Sequence, residues 1–393
     1  MGAEKTLTLE GKKAFDEAEL LIGAKRMTDA VQRPGQMVLH EYRSDKIVEY
    51  IKTHPQYRTV AIALSGDVGF YSGARKLMDL LDGDVQVICG ISSVVYFMAK
   101  IGLSWDDARI VSAHGRDCNL ISLIRHNPKA FSILGTEDGV ARLASRLVEY
   151  GMGDVTLYVG ENLSYENEKI FHARAADLTE YRGDALSVVT ACNEKAEPLP
   201  AVHGICDEEF LRGKAPMTKE EVRTVSLSKL RLQEDSVCYD VGAGTGSVSV
   251  EMALRAWKGQ VYAIEKKEDA LALLKENKRK FAADNLEIVP GTAPEAMVEL
   301  PAPTHAFIGG SSGNMNEIIR LLLDKNPEVR IVINCITLET VTEAMNAIRD
   351  FSLTDVDIVQ LSAARSKSIG RYHMMMGENP IYIISCSGRG EEI

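Results

Sequence analysis

The sequence predicts two α/β domains in series, each built from strands that alternate with helices. The chain has 393 residues, a length that favours two domains or more. Its composition, 45% hydrophobic and 26% charged, is typical of globular proteins. Short apolar runs alternate with helix-period stretches in both halves. The polar segment 193–204 holds two prolines and breaks this alternation, so we interpret it as the linker between domains 1–198 and 204–393.

The first half is α/β and then richer in strands. Helix-period stretches separate the first five apolar runs, and no long helix lies between the last two. The predicted strands are 59–64, 85–89, 108–113, 129–135, 155–160, 169–174 and 186–192.

The second half opens with a helix signal and then alternates regularly. Thr218 followed by Glu221 has the spacing of a capping box, with Thr218 as the N-cap. The last two strand candidates follow each other without a helix, which predicts a mostly parallel sheet with an antiparallel end. The predicted strands are 236–242, 259–265, 285–291, 305–310, 329–335, 351–362 and 379–387.

Charge and composition exclude several classes of protein. A net charge of −11 disfavours a nucleic-acid-binding protein, which needs cations to bind phosphates. No apolar stretch is long enough to span a membrane, and the first residues lack the apolar core of a signal peptide. The seven cysteines are scattered without a CxxC pair, and the eight histidines are dispersed. We therefore expect a reduced, cytoplasmic protein without a metal site or membrane partner.

The stretch CYDVGAGTGSVSVE (238–251) predicts a ligand-binding turn between a strand and a helix. A phosphate-binding P-loop is disfavoured because Ser247 and Val248, not Lys and Ser or Thr, follow Gly246. A dinucleotide loop would have a third glycine where Ser247 stands. Glu265, at the end of the next strand, is placed to accept ribose hydroxyls, and Asp240 is placed to bind an amino group. Small residues in 289–297 would accommodate an adenine.

A ribose, an adenine and an amino acid without a phosphate together indicate S-adenosylmethionine, with S-adenosylhomocysteine as the product. A nicotinamide-dependent oxidoreductase remains an alternative. Methylases that act on base amines carry an Asn/Asp-Pro-Pro-aromatic run, whereas residues 307–313 of this chain read FIGGSSG. Methylases that act on a cytosine carbon use a Pro-Cys nucleophile, whereas this chain has Asn334-Cys335. An RNA methyltransferase is therefore a remote alternative, disfavoured by this missing motif and by the net charge of −11.

Several motifs resemble one family over essentially the whole chain. GICDEEFLRGKAPMTKEEVR, DVGAGTGSVSVE, GTAPEAM and FIGGSSGNM resemble the C-15-methylating, decarboxylating enzymes of cobalamin biosynthesis. ALSGDVGFYSGA, CGISSVVYFMAKIGLSWDDARIVSAHGR and VGENLSYENEKI resemble the C-5-methylating tetrapyrrole methylases. Their fusion resembles the precorrin-6Y C5,15-methyltransferase (decarboxylating) family.

The resemblance implies a tetrapyrrole-methylase domain of two α/β subdomains, followed by a Rossmann-like class I methyltransferase domain. It implies methylation at C-5 and C-15 of a precorrin-6-type tetrapyrrole, with decarboxylation of the C-12 acetate. We also expect a homo-oligomer. A chain in which only the C-terminal domain is active, the N-terminal half being a binding or assembly module, remains an alternative.

The family pattern maps cofactor contacts onto both domains, and it assigns no catalytic residue. In the second domain they are Thr218, Gly242, Ala243, Gly244, Thr245, Gly246, Glu265 and Ala293. In the first domain they are Asp67, Gly69, Phe70, Ser92, Ser93, Gly160 and Asn162. Because the substrate carries many carboxylates, basic residues are expected to bind it. The candidates are His114, Arg116, Arg365, Arg371 and His373.

The sequence departs from the family mainly at its start. The family opens with an apolar strand and a Gly-x-Gly-Pro-Gly loop, whereas Met1-Gly2 aligns with the middle of that loop and no strand precedes it. Val68 and Cys89 also replace usual family residues in two loops. We expect the natural start to lie upstream, and the chain as given to be active at C-15 and weak or inactive at C-5.

Overall fold

We describe a computed structural model, which defines residues 3–113, 119–199 and 202–389. The first half of the chain forms α1 (Leu9–Glu17), β1 (Leu20–Gly23), α2 (Lys25–Val31), β2 (Met37–His40), α3 (Ser44–Thr53), β3 (Val60–Ala63), α4 (Ala74–Met78), α5 (Ser93–Ile101), β4 (Arg109–Ser112), α6 (Leu120–His126), β5 (Lys129–Leu134), α7 (Gly139–Glu149), β6 (Thr156–Glu161), β7 (Lys169–Arg174) and β8 (Ser187–Cys192). The second half forms α8 (Glu220–Leu230), β9 (Val237–Val241), α9 (Ser247–Arg255), β10 (Gln260–Glu265), α10 (Glu268–Lys280), β11 (Leu286–Pro290), β12 (His305–Ile308), α11 (Met315–Lys325), β13 (Arg330–Cys335), α12 (Leu338–Asp350), β14 (Thr354–Leu361), β15 (Ala364–Ile369), β16 (Tyr372–Gly377) and β17 (Ile381–Ser387).

These elements divide into two compact units. The first comprises residues 3–113 and 127–196, and the second comprises 119–126, 197–199 and 202–389. The division near residue 196 falls inside the predicted linker. The sequence does not predict that α6 belongs to the second unit. There the amide of Asn119, just before α6, donates to the Oδ1 of Asn285 at 2.7 Å, and both side chains are buried.

The first unit contains two sheets. A three-stranded parallel sheet has the order β2-β1-β3, with Leu20 of β1 opposite both Met37 and Val60. A five-stranded sheet has the order β4-β5-β8-β6-β7, and β8 is antiparallel to both of its neighbours. The expectation of an α/β region followed by a strand-rich end is therefore confirmed.

Two expectations for this unit are wrong or incomplete. The run 85–89 was predicted as a strand, but it joins no sheet. A strand needs a neighbour to satisfy its backbone groups, and these residues have none among the described strands. Strands β1 and β2 were not predicted. Each has only four residues, which is too short for periodicity to separate strand from helix.

The second unit is built on one seven-stranded sheet with the order β11-β10-β9-β12-β13-β17-β14. The strands β9 to β13 are parallel, and β17 inserts antiparallel between β13 and β14. The predicted parallel sheet with an antiparallel end is confirmed. The two-stranded ribbon β15-β16 was not predicted, because its residues are polar or exposed and bury no face that would produce a strand pattern.

Alternate residues of this sheet supply two hydrophobic cores. Tyr239 and Ile264 point to one face, where α11 and α12 cover them. Cys238 and Phe307 point to the other face, under α8, α9 and α10. A sheet covered on both faces explains why its parallel strands read as continuous apolar runs. In the described part of the chain, no helix has both the length and the apolar character of a membrane span.

A buried guanidinium ties the beginning of the second unit to two helices. Arg223 of α8 is fully buried and donates from Nε to the carboxylate of Glu251 on α9 at 2.6 Å. Its Nη1 donates to Asp207 at 3.2 Å and to the carbonyl of Thr218 at 2.6 Å. The same Glu251 accepts the backbone N–H of Gly204 at 2.7 Å. One ion network therefore holds segment 204–207, α8 and α9 together.

The capping box predicted at Thr218 is wrong. Helix α8 begins at Glu220, and Lys219, at the cap position, makes no side-chain cap bond. The carboxylate of Glu221, which a capping box would turn back to the cap N–H, accepts from Arg365 at 2.8 Å instead. Thr218 instead contributes its backbone carbonyl to the Arg223 network.

Removing the carboxylate of Glu251 should destabilise the second unit strongly. Glu251→Ala leaves the Arg223 charge and two backbone N–H groups without this acceptor, so we expect a loss of about 3–5 kcal/mol in the free energy of unfolding. Glu234→Ala is the matched control, since Glu234 pairs with Lys258 at the surface, and it should cost less than about 1 kcal/mol. Denaturant unfolding measures both. Equal small losses would contradict a structural role for the network.

Candidate functional site

A cavity opens at the carboxyl ends of four neighbouring strands of the second unit. Strand β9 lies between β10 and β12, so the chain reverses its direction of travel across the sheet at this point. Such a switch point leaves a crevice between the loops, where ligands bind in open α/β sheets. The cavity has a volume of about 200 Å³. Its lining is Ala215, Pro216, Val241, Gly242, Gly244, Ile264, Glu265, Lys266, Lys267, Ala270, Gly291, Thr292, Ala293, Gly309, Gly310, Ser311 and Ser312.

The glycine loop needs its glycines for backbone conformation and for close packing. Gly242 has a φ of +77°, which favours glycine, and its backbone lines the cavity. Gly246 has a φ of +80°, and a Cβ there would lie only 2.0 Å from the Leu274 side chain of α10. Gly242 therefore shapes the cavity, whereas Gly246 lets α10 pack against the loop.

Glu265 joins the glycine loop to the end of β10. Its side chain is 8% exposed and lines the cavity. One carboxylate oxygen accepts the N–H of Gly244 at 2.8 Å, and the other accepts those of Lys266 and Lys267 at 2.8 and 2.9 Å. A carboxylate offers about four acceptor positions. The three backbone N–H groups occupy three of these positions, so the Glu265 carboxylate can accept one further strong hydrogen bond. If two ribose hydroxyls donate to it, one of the bonds from the backbone must lengthen.

Asp240 lies behind the cavity and does not line it. Its carboxyl group is buried, Oδ2 accepts the hydroxyl of Ser249, and Oδ1 has no hydrogen-bond partner. Burial raises the pKa of Asp240 to about 7, the bond from Ser249 opposes this, and the Glu265 charge adds to the rise. This position does not suit the expected direct contact with an amino group.

The remaining predicted residues of this unit fall into two sets. Ala293 lines the cavity, and its carbonyl accepts the amide of Asn314 at 2.9 Å. Thr218, Ala243 and Thr245 are not among the lining residues, and Thr245 is fully buried.

Sequence reasoning missed the residues that close the other side of the cavity. Lys266 donates to the hydroxyl of Ser312 at 2.9 Å, which links the loops after β10 and β12. The loops after β10 and β12 lie close together because both strands are neighbours of β9 in the sheet. This strand order is not predicted from the sequence. The signal in the sequence is the run FIGGSSG after the fourth strand, which argues against an amine methylase and carries part of the family resemblance but was not assigned a place in the site.

Comparisons with known proteins cover both halves of the chain. Residues 209–387 match the family described as Precorrin methyltransferase domain, and residues 1–179 match Tetrapyrrole (Corrin/Porphyrin) Methylases. The probable cobalt-precorrin-6B C(15)-methyltransferase (decarboxylating) of Pyrobaculum calidifontis is 44% identical over 188 residues, 47% of this chain and 96% of the relative. The corresponding Salmonella typhimurium protein is 41% identical over 182 residues, 46% of this chain and 94% of the relative.

The chain belongs to the precorrin methyltransferase family. A solved structure of precorrin-6y C5,15-methyltransferase from Geobacter metallireducens GS-15 is 41% identical, and the match covers 47% of this chain and 96% of that one with a TM-score of 0.45. The two family matches and the relatives at 41–44% identity confirm the resemblance of the motifs to this family. The sheets described above confirm the expected α/β fold class of both halves.

The predicted cofactor loops of the first unit are tied together by one carboxylate. Asp67 accepts the backbone N–H of Gly69 at 2.9 Å and that of Gly90 at 3.1 Å. Ser92 caps α5 by accepting the N–H of Val95 at 3.3 Å, and Ser93 is the first residue of that helix. Phe70 packs in the core beneath these loops. The residues from 67–70 and 92–93 are therefore brought together.

Gly160 and Asn162 each have a structural explanation. A Cβ at Gly160 would lie 2.5 Å from the Phe97 ring of α5, so only glycine allows β6 and α5 to pack this closely. Asn162 is buried with a φ of +48°, and its amide donates to Asp184 at 2.7 Å. Their contact with a cofactor remains a prediction.

The predicted substrate-binding cations occupy different environments. Arg365 on β15 is held between Glu220 and Glu221, at 3.1 and 2.8 Å, and these carboxylates raise its pKa. Its charge is therefore already compensated. Arg371 and His373 lie exposed on the ribbon, and Arg371 forms no ion pair with the residues that the structure defines. His114 and Arg116 lie outside the described residues.

Stability of the second unit should depend on pH through Asp240. The ordinary pKa of 3.8 rises to about 7 in the folded protein, so the folded state retains a proton that the unfolded state loses. The contribution of Asp240 to stability should therefore be complete below pH 4 and be lost as the pH rises through 7, by about 4 kcal/mol in all. Asp240→Asn removes this titration, so its melting temperature relative to the natural chain should rise between pH 5 and pH 8.

The exposed Asp235→Asn variant controls for the simple loss of a carboxylate. A difference between Asp240→Asn and the natural chain that does not change with pH would show that Asp240 stays ionised.

Proposed function

We propose that this chain is an S-adenosylmethionine-dependent methyltransferase of cobalamin biosynthesis that acts on a precorrin-6-type tetrapyrrole. The second unit methylates C-15 and decarboxylates the C-12 acetate, and the first unit methylates C-5. The observation that carries the proposal is the glycine loop and Glu265 meeting in one cavity at the switch point of the sheet. The C-15-methyltransferases that share 41–44% identity with this half support the choice of reaction.

The residues that line the cavity are of the chemical types that the ribose, adenine and amino-acid parts of S-adenosylmethionine require. The carboxylate of Glu265 has one free acceptor position for a ribose hydroxyl. Gly242 and Gly244 let the backbone approach the ligand, and Gly291 and Ala293 leave a small-residue wall suited to adenine. A volume of about 200 Å³ is below the usual range for ligand pockets, so we expect the Lys266–Ser312 bond to open when the cofactor binds.

Positioning is the main contribution of the protein to methyl transfer. When bound, S-adenosylmethionine supplies a sulfonium methyl group for in-line displacement, and S-adenosylhomocysteine is the product. Orienting donor and acceptor could supply about 7–11 kcal/mol of the barrier without a dedicated acid or base. Glu265 and the glycine loop are connected by a 2.8 Å hydrogen bond, so donor-site residues from two strands move as one body.

The decarboxylation also needs little from protein acid or base groups. The electron pair of the broken C–C bond passes into the conjugated imine system of the tetrapyrrole, carbon dioxide leaves, and a proton taken up from solvent completes the methyl group at C-12. The protein must bind the other carboxylates of an anionic substrate although its own net charge is −11. The exposed cations Lys367 and Arg371 of the ribbon supply local positive charge for this, and the His373 ring beside them offers a further hydrogen-bonding group.

We place this reaction in the cytoplasm. The six cysteines of the described residues are free, and burial raises the pKa of the thiols Cys238, Cys335 and Cys386. These are unreactive core residues, which suits a reducing compartment.

The decisive test is incubation of the full chain with a precorrin-6-type tetrapyrrole and S-adenosylmethionine carrying a labelled methyl group. Gain of one labelled methyl with loss of carbon dioxide would establish the reaction of the second unit. A second labelled methyl would establish that of the first. Transfer of no label to the tetrapyrrole, with cofactor bound, would overturn the proposal.

Glu265→Gln should weaken S-adenosylhomocysteine binding at the second-unit cavity by about 10- to 150-fold, the value of one hydrogen bond to a charged group. Hydrogen exchange of residues 242–267 during titration reports occupancy of this cavity. Glu287→Gln, at an exposed position on β11, is the control and should bind as the natural chain does. Equal affinity of both variants would remove Glu265 from the site.

Arg371→Ala should raise the KM for the tetrapyrrole several-fold and leave the Kd of S-adenosylhomocysteine unchanged. The exposed guanidinium lacks a carboxylate partner in the described structure and suits bidentate binding of a substrate carboxylate. Arg349→Ala, on the exposed face of α12, controls for the loss of one surface cation. A weaker cofactor Kd with an unchanged KM would reverse the assignment.

A further inference from the structure

Two large apolar side chains lie exposed in the short connection between β13 and α12. Ile336 is 66% exposed and Leu338 is 72% exposed. They flank Thr337, and we call residues 336–338 the β13 loop. Single exposed apolar side chains are common on protein surfaces. Two large ones in a three-residue loop beside a ligand cavity form a patch that suits contact with an apolar ligand.

The β13 loop is held at both of its ends. Cys335, directly before it, is fully buried and lies opposite Tyr382 of β17. The hydroxyl of Thr337 accepts the N–H of Thr340 at 3.2 Å, and its carbonyl accepts the N–H of Val341 at 3.1 Å. Thr337 therefore caps α12. The apolar side chains on either side of this cap are presented to solvent by a fixed backbone.

The order of the strands places the β13 loop between the cavity and the ribbon. The sheet runs β9, β12, β13, β17 and β14 on this side of the switch point. The loops after β9 and β12 line the cavity through Gly242, Gly309 and Gly310. The ribbon leaves the same edge of the sheet, because it joins the end of β14 to the start of β17, and β14 runs in the direction of β13.

The distances along this edge are short. Ile308 of β12 lies opposite Ile333 of β13, so the two strands end at nearly the same level. Neighbouring strands are about 4.8 Å apart, which puts the β13 loop one strand spacing from the loop that carries Gly309. On its other side, β17 and β14 follow at one and two further spacings. A ligand that reaches from the cavity to the ribbon must therefore cross the β13 loop.

We propose that the ring face of the tetrapyrrole lies on the β13 loop, in contact with Ile336 and Leu338. This inference deepens the proposed function and rests on it. A methyl acceptor must come within about 3–3.5 Å of the donor carbon, so one side of the macrocycle lies at the cavity. On the proposed function, carboxylates of its other side bind Lys367 and Arg371 of the ribbon. A macrocycle of four linked rings is wide enough to cover the strand spacing between them.

The chemistry of the β13 loop matches that of the ring face. The conjugated face of a tetrapyrrole is apolar, and its carboxylates lie at the periphery. Ile336 and Leu338 offer apolar area without charge, and covering this area removes it from water on both partners. Glu339, exposed directly after the loop, repels a carboxylate on this side. The carboxylates of the periphery are therefore directed away from α12 and towards the cations of the ribbon.

A double substitution in the full chain tests the proposal. Ile336→Ser combined with Leu338→Ser should raise the KM for a precorrin-6-type tetrapyrrole about 10-fold, because the ring loses two apolar contacts. The Kd of S-adenosylhomocysteine and the melting temperature should stay unchanged, since both side chains are already exposed. Met345→Ser is the matched control. Met345 is 41% exposed and lies two turns along α12 on the same helical face as Leu338, and its loss should leave the KM unchanged.

Uroporphyrin, a planar tetrapyrrole with carboxylate side chains, tests the same surface without turnover. The natural chain should bind it, and the double variant should bind it about 10-fold more weakly, as measured by the fluorescence of the porphyrin. This outcome in a chain that transfers no labelled methyl group would overturn the proposed reaction and still support the surface.

Three outcomes would overturn the inference. An active natural chain whose double variant keeps both its KM and its affinity for uroporphyrin would leave the proposed function intact and remove the β13 loop from the site. A lower mass of the double variant in sedimentation, with unchanged KM, would assign the patch to contact between copies of the chain. A natural chain that neither transfers label nor binds uroporphyrin would overturn the inference and the proposed function together.

Discussion

The beginning of the second unit depends on one fully buried cation, Arg223. Arg223 lies between two carboxylates and two backbone carbonyls, with the Phe210 ring 4.8 Å from its guanidinium carbon. A guanidinium without partners could not remain in this core, because the desolvation cost would exceed any gain from packing. The folded chain must therefore bring segment 204–207, α8 and α9 together around Arg223. This requirement also positions residues that lie next to the cavity. Helix α9 begins directly after Gly246, and Thr218 lies two residues after Pro216, which lines the cavity.

Among its described residues, the three-stranded sheet of the first unit is not held by a buried ion network like that of Arg223. The core on one side of that sheet consists of Leu20, Ile22, Ile47, Val48 and Leu77. A small core with an open strand edge favours local opening at low free energy. The predicted cofactor loops of this unit are held chiefly by the hydrogen bonds of Asp67.

The sequence predicted those parts of the fold that are governed by local pattern. Strands β9 to β13 were predicted because buried parallel strands are apolar throughout and end at glycines or charged residues. The position of Glu265 followed from chain order alone. Contacts between distant segments could not be predicted in this way. Arg223 and Glu251 read as surface charges on helices, and nothing near α6 indicates that Asn119 bonds to Asn285, 166 residues away.

The ribbon illustrates the same limit for the predicted substrate residues. Its cations form one basic group in the sequence, but the structure gives them two different roles. Arg365 is neutralised by Glu220 and Glu221 at the start of α8, so it fixes the base of the ribbon. Its raised pKa reflects that pairing. Lys367 and Arg371, farther along the ribbon, are exposed and form no ion pair with the residues that the structure describes. On the proposed function, these two cations supply the local attraction that a chain with a net charge of −11 needs to bind a polycarboxylate.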